Sequence, residues 1–347
     1  MSSPANYYMI SNRKYDQQSN TFLTEVGADL SFLQAPVSNP TDFAIVSKAD
    51  WLASLQNDLL GGGQPPTAYA GLFVHGYGVS FEAATTHVYP TYFGNLTNTP
   101  PSGYPGVLIG FDWPSNGGLT EQDFNTAMER ADITAAVSFP ELFKVLEAIK
   151  AGCPVKVSLS AICHSMGNYA MYKGAHVFAP QNGSAPFFDQ VLCVAAMLDA
   201  NAFNSPSSAT YCVDIANAAD GVTVYYSSHD DVLPFAKNWL GYPQLGMVGP
   251  TYDNTLLPKV IGLDCSQVVD QANLSYEPPG IKLTHTAYFY IPEVREDLWT
   301  ALVGESAGDR EPISGTNVGF TMIPNPAGWP PSPETGAEQK QASPDSL

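Results

Sequence analysis

The segment Cys163-His164-Ser165-Met166-Gly167 lies between an apolar run, Val155–Ile162, and a stretch of helical composition, Met166–Phe178. A serine at the apex of a tight strand-to-helix turn lifts its hydroxyl above the sheet, and such a turn needs small residues two places before and after it. Gly167 meets that need. Cys163 stands where glycine is usual, yet is small enough to fit. The competing reading makes Ser165 an ordinary helix N-cap. The preceding strand and following helix favour the nucleophile turn.

A serine hydroxyl is a weak nucleophile and needs a base beside it. The chain has six histidines, at 75, 87, 164, 176, 229 and 285. Where such a turn carries a triad, the chain order is Ser, then acid, then His, and only His285 follows every candidate acid. It sits in a Thr-His-Thr stretch expected as a loop between a strand and a closing helix, Pro292–Val303. His229 is the rival base. His164 is expected to point away from its serine neighbour, and His87 and His176 read as surface or helix residues. The acid must fix the imidazole tautomer and stabilise the imidazolium. Asp230, just past the strand Val222–Ser227, is the first choice; Asp199 is the alternative and Asp231 the third. An exposed turn aspartate is the plain reading of any of them.

Acyl chemistry also needs two N–H groups aimed at the developing oxyanion. The amide of Met166, the residue after the nucleophile, is one candidate. The other is Tyr77, in the turn Val74-His75-Gly76-Tyr77-Gly78, whose glycines let the backbone approach a substrate closely.

These residues must be carried by something regular. Apolar runs at Ala68–Val74, Gly106–Phe111, Val155–Ile162, Gln190–Leu198, Val222–Ser227 and Val260–Val269 alternate with helical stretches. Near-continuous apolar strands separated by helices predict an α/β fold, a mostly parallel sheet with helices on both faces. Ligands of such sheets bind at the carboxyl ends of the strands. His75, Asp112, Ser165, Asp199 and Asp230 all fall at such ends. Residues 1–65 are expected to pack on the core as loops and an edge strand, Asn6–Ile10. Residues 66–303 form the catalytic domain, and within it 232–258, rich in aromatics, Gly and Pro, could cover a pocket. Residues 304–347 read as a disordered tail.

Composition narrows the partners. The chain has 347 residues, 44% of them apolar, and a net charge of −19 from 33 acidic and 14 basic residues. That field repels nucleic acid and anionic membranes. No apolar run is long enough to span a membrane, no secretory signal is evident, and five cysteines without paired spacing suggest a reducing, cytoplasmic setting. No His/Cys spacing suggests a metal site.

Taken together, His75-Gly76-Tyr77-Gly78-Val79-Ser80-Phe81-Glu82, Trp113-Pro114-Ser115 and His164-Ser165-Met166-Gly167-Asn168 resemble the α/β-hydrolase superfamily, and within it a bacterial branch. Tyr225-Tyr226-Ser227-Ser228-His229-Asp230, and His285 before Tyr288, match the same pattern over about 66–303. The resemblance implies acyl transfer to water from a small ester or acyl substrate, with no cofactor or metal. The aromatic 232–258 segment suggests an uncharged or hydrophobic group. An amidase, peptidase or acyltransferase would use the same triad, and an inactive binding protein could share the fold.

Overall fold

The computed structural model describes the chain except for residues 1–3, 64, 99–104, 183–185, 272–283, 306–309, 315, 317 and 324–347. Its strands are β1 (Asn6–Asp16), β2 (Thr21–Pro36), β3 (Ala44–Val46), β4 (Thr67–Val74), β5 (Val107–Asp112), β6 (Lys156–His164), β7 (Phe188–Val194), β8 (Ala219–Tyr226), β9 (Val260–Asp264), β10 (Arg310–Pro312) and β11 (Gly319–Met322). They form one 11-stranded sheet in the order β10-β11-β9-β8-β7-β6-β4-β5-β1-β2-β3. From β11 through β9, β8, β7, β6, β4 and β5 to β1, every neighbouring pair is parallel. The two ends are antiparallel, β1 with β2 and β2 with β3 on one side and β10 with β11 on the other.

The apolar runs explain the layering. Alternate residues of a strand face opposite sides of the sheet. Leu72, Val74, Leu159 and Ala161 enter one buried cluster with the helices Glu121–Val137, Phe139–Gly152 and Gly167–Asn182. Phe73 and Ile162 enter the other, with Tyr89–Thr97 and Pro292–Leu302. Thr120 opens the first of these helices with a capping box to Asp123, and Pro140 lies in the first turn of the next. The sheet is therefore mostly parallel with helices on both faces. Among the described residues no helix is long and apolar enough to cross a membrane.

The strand order fixes where a site can lie. After β4 the chain moves outward to β5; it then returns past β4 to β6 and continues the other way to β7. The connections diverge between β4 and β6, and a crevice opens at their carboxyl ends. His75 follows β4 and Ser165 follows β6 at that point.

Several expectations need correction. β1 is not an edge strand: it lies between β5 and β2, and β3 forms the edge. The run Val260–Val269 is a strand only to Asp264, because the Asp264 carboxylate accepts from the Ser266 amide and hydroxyl and starts the helix Ser266–Gln271. The run Gln190–Leu198 leaves the sheet after Val194, where Ala195 takes a φ of 45°. The stretch from 304 is not wholly a tail. β11 covers the otherwise open edge of β9, and Arg310 is drawn in by the buried Asp297, with Nε–Oδ2 at 2.6 Å and Nη2–Oδ1 at 2.7 Å. Tyr225 donates to the same Asp297 Oδ1 at 2.6 Å. Residues 324–347, also expected as tail, lie outside the described residues.

Removing one partner of a buried pair strands the other charge. Arg310→Met should therefore lower the unfolding free energy by about 3–5 kcal/mol in urea titrations. A variant as stable as the parent would show that the pair contributes nothing net to folding.

Candidate active site

Ser165 occupies the turn between β6 and the helix Gly167–Asn182, with a φ of 53°. Few non-glycine residues adopt this left-handed conformation, which is costly unless surroundings impose it. The surroundings here do. The Ser165 amide donates to the Val194 carbonyl at 3.0 Å, and the Ser165 carbonyl accepts from the Asn168 and Met197 amides at 3.1 and 3.2 Å. Asn168, fully buried, adds side-chain donation from Nδ2 to the carbonyls of Cys163 at 2.7 Å and Ser165 at 3.2 Å. Close packing against β4 completes the turn. A methyl group on Gly167 would lie 2.3 Å from the Val74 carbonyl oxygen, and one on Gly76 2.7 Å from Ser165 Cβ. Both glycines are therefore required by backbone approach. Cys163, two residues before Ser165, is fully buried.

His285 comes to this turn from the far end of the chain. It lies in a short 3-10 helix, Thr284–Phe289, rather than an irregular loop. Its Nδ1 donates to Asp230 Oδ2 at 2.7 Å, and both side chains are nearly solvent-free. The other Asp230 oxygen, Oδ1, accepts from the Val232 and Leu233 amides at 3.0 and 2.8 Å, at the start of the helix Leu233–Leu240. Burial alone would raise the Asp230 pKa. The His285 ring and these amides outweigh it, and the carboxyl is held below its ordinary value. With Nδ1 committed as donor, Nε2 is the acceptor nitrogen of a neutral His285.

Further contacts seat His285. Thr284 Oγ1 donates to the His229 carbonyl at 2.6 Å and accepts from the Asp231 amide at 3.0 Å, while the His285 amide donates to Asp231 Oδ1 at 3.3 Å. His164, expected to point away as a structural residue, instead touches His285. Its Nε2 donates to the His285 carbonyl at 3.1 Å, and the two rings lie 4.7 Å apart. Burial, with His285 alongside, lowers the His164 pKa to about 3, so it stays neutral.

The alternatives lie elsewhere. The Asp199 oxygens accept from the Asn201 amide at 2.9 Å and the Ala209 amide at 3.1 Å, folding its own loop. The Asp231 carboxylate accepts from the His285 backbone amide, not from its ring. His229 is exposed, and His176 pairs with Asp214 at 2.8 Å on the surface.

The turn after β4 faces the same crevice. The Gly78 amide donates to the Ser115 carbonyl at 3.0 Å and the Asn168 amide to that of Ser165. Among the described residues, the amides of Tyr77 and Met166 are not engaged in the backbone hydrogen bonds of these two turns. The Trp113 indole, fully buried and stacked on His75, donates to the His75 carbonyl at 2.9 Å.

The sequence reading assigned no role to Ser11 or Arg13 of β1, or to Asn168. Arg13 and Asp112 form a buried ion pair at 2.9 Å beneath the β4 turn. A signal existed: Arg13 lies three residues past the apolar run Tyr7–Ile10 in a chain with only 14 basic residues, and a buried arginine demands a carboxylate. Among the described residues no cluster of His, Cys, Asp and Glu could hold a metal ion.

The family model described as "Alpha/beta hydrolase of unknown function (DUF900)" matches residues 66–304. No curated protein matches the chain. Among solved structures, an esterase from Pyrobaculum calidifontis is similar at 13% identity, over 68% of this chain and 74% of that one, with a TM-score of 0.32. Phospholipase PlaB from Legionella pneumophila, in complex with thio-NAD, is similar at 14% identity, over 59% of this chain and 39% of that one, with a TM-score of 0.26.

Acid should act through the depressed carboxyls. Asp230 and Asp112 both have folded-state pKa values below their ordinary ones, so as pH falls the unfolded chain takes up their protons first. Their stabilisation is complete above the ordinary carboxylate range, about pH 4, and is lost below it. Urea unfolding from pH 7 to 3 should show stability declining at the acid end, less steeply in Asp230→Asn. An unchanged slope in that variant would remove Asp230 from the acid response.

Proposed function

The chain belongs to this family of α/β hydrolases, and from that membership we propose that it is a serine hydrolase cleaving a carboxylic ester through an acyl-enzyme on Ser165. The observation that carries the proposal is the buried 2.7 Å pair of His285 Nδ1 and Asp230 Oδ2, with His285 packed on His164, the residue before a Ser165 held at a φ of 53°. This is what a nucleophile, a base and an orienting acid require.

The chemistry follows from the roles. His285 Nε2 accepts the Ser165 hydroxyl proton as the oxygen attacks the ester carbonyl. Asp230, kept ionised, stabilises the imidazolium. The Tyr77 and Met166 amides hold the oxyanion of the tetrahedral intermediate. His285 then protonates the departing alcohol. Water enters, loses a proton to His285 and attacks the acyl-enzyme, and Ser165 leaves with that proton. The reaction calls for no cofactor.

The substrate is read as small and uncharged or hydrophobic. Two features support this. The net charge is −19, which disfavours anions. The helix Leu233–Leu240, which begins beside Asp230, presents an exposed Phe235 and sets Trp239 5.0 Å from Phe124, whose ring is 5.8 Å from Tyr77. The motif set His75-Gly76-Tyr77, Trp113-Pro114-Ser115 and His164–Asn168 further suggests the bacterial branch it resembles.

Hydrolysis of a p-nitrophenyl ester series tests the proposal, with matched anilides to expose amidase activity. Ser165→Ala and His285→Ala should each lose on the order of a thousandfold or more in kcat. Asp230→Asn should lose heavily and Asp199→Asn little. A fluorophosphonate should label Ser165 in the wild type. Full activity in Ser165→Ala would sink the assignment.

A further inference from the structure

The proposed oxyanion donor Tyr77 sits in a turn that is gripped at both ends. On one side, the His75 carbonyl accepts from the Trp113 indole at 2.9 Å. On the other, the Val79 carbonyl accepts from Arg13 Nη2 at 2.7 Å, and the Val79 amide donates to Ser115 Oγ at 3.3 Å. The same Nη2 donates to the Trp113 carbonyl at 2.7 Å, and Nη1 to Asn116 Oδ1 at 2.9 Å. One guanidinium thus ties the turn after β4 to the segment after β5. No other side chain presents planar donors in this fixed fork.

The guanidinium is itself fixed. Arg13 Nε donates to both Asp112 oxygens, at 2.9 and 3.0 Å, and Ser11 Oγ donates to Asp112 Oδ2 at 2.7 Å. Asp112 Oδ1 also lies 3.3 Å from His75 Nε2. Ser11 and Arg13 share one face of β1, and Ser11 pairs in register with Asp112. A register shift on either side of Arg13 in the β1–β2 ladder marks a bulge, the device that re-aims a strand side chain. Burial opposes ionisation of Asp112, and the Arg13 charge with His75 overcomes it. All of β1 lies outside the residues matched by the family model.

We infer that Arg13 is a positioning residue of the oxyanion site, a strut from the N-terminal strand that sets the Tyr77 amide through the Val79 and Trp113 carbonyls. The inference rests on the hydrolase reading above. Its consequence is that β1 and β2 complete the active site instead of merely flanking it. Ser11 holds the carboxylate that holds Arg13, and Trp113 and Ser115 secure the same turn independently.

The test separates positioning from stability by referring rates to titrated sites. Active Ser165 is counted with a fluorophosphonate, and kcat and KM per site are measured on a p-nitrophenyl ester and on its thionoester. Sulfur accepts oxyanion-type hydrogen bonds poorly, so an intact site prefers the oxygen ester. Arg13→Met should lower kcat per site about ten- to a hundredfold with KM little changed, short of or equal to the loss of a whole donor. Its oxygen-over-sulfur preference should shrink. Arg13→Lys should recover part of the rate, because it restores the charge but not the fork. Arg310→Met, which breaks a buried pair at the other end of the sheet, should lose stability and keep wild-type kcat per site and preference.

Arg13→Met with wild-type rate and preference per site would overturn the inference while leaving the triad standing. If Arg13→Met fails to fold, Ser11→Ala removes the hydroxyl that holds Asp112 and Asn116→Ala the carbonyl that receives Nη1, and full rate and preference in both would overturn it equally. Absence of Ser165 labelling in the wild type would sink the hydrolase reading and this inference together.

Discussion

A serine held in the left-handed region of backbone space imposes most of what surrounds it. The conformation costs of order 1–3 kcal/mol, so it persists only where neighbouring hydrogen bonds over-determine it. Val194, Asn168 and Met197 supply those bonds, from β7, from the following helix and from the segment leaving the sheet. The packing demand is equally strict. The backbone after β4 passes so close to the turn that neither Gly76 nor Gly167 can carry a Cβ without collision. One unfavourable φ thus fixes the spacing of β4 and β6, the composition of both turns and the place of the crevice between them.

The second organising feature is electrostatic. In a low-dielectric site a charge persists only with its partners in place. Asp230 divides its oxygens between two amides and one imidazole, which settles its charge and the tautomer of His285 together. His164 beside it is kept neutral, so the imidazolium proposed for His285 meets no second cation. The same logic recurs at Asp112 and Asp297, each buried and each matched to one arginine.

The parallel core was legible in the sequence because its strands are buried on both faces and read as apolar runs with helices between them. Strand ends were less legible, since apolar character continues past the last ladder hydrogen bond, as at Ala195–Leu198 and Cys265–Val269. Position relative to the sheet was hidden as well: nothing local in Asn6–Ile10 says whether a partner lies on both sides. In the candidate site, residue types and order singled out Ser165 and His285, but three aspartates stayed open. They are separated only by where their lone pairs go, and Asp199 turns its pair back onto Asn201 and Ala209. Arg13 escaped notice because its partner is 99 residues distant. The late strands escaped because a Pro- and Gly-rich stretch can still cover an edge once a buried carboxylate anchors it.

The margins of the sheet carry a different consequence. Its outermost members, β3 and β10, are three residues each, and Pro312 ends the latter without an amide to donate. A long parallel array would otherwise offer a ready template for recruiting strands from other molecules. Here each outermost strand itself presents only about 10 Å of edge. The two additions that lengthen the sheet thus end it in strands too short to template a long ladder.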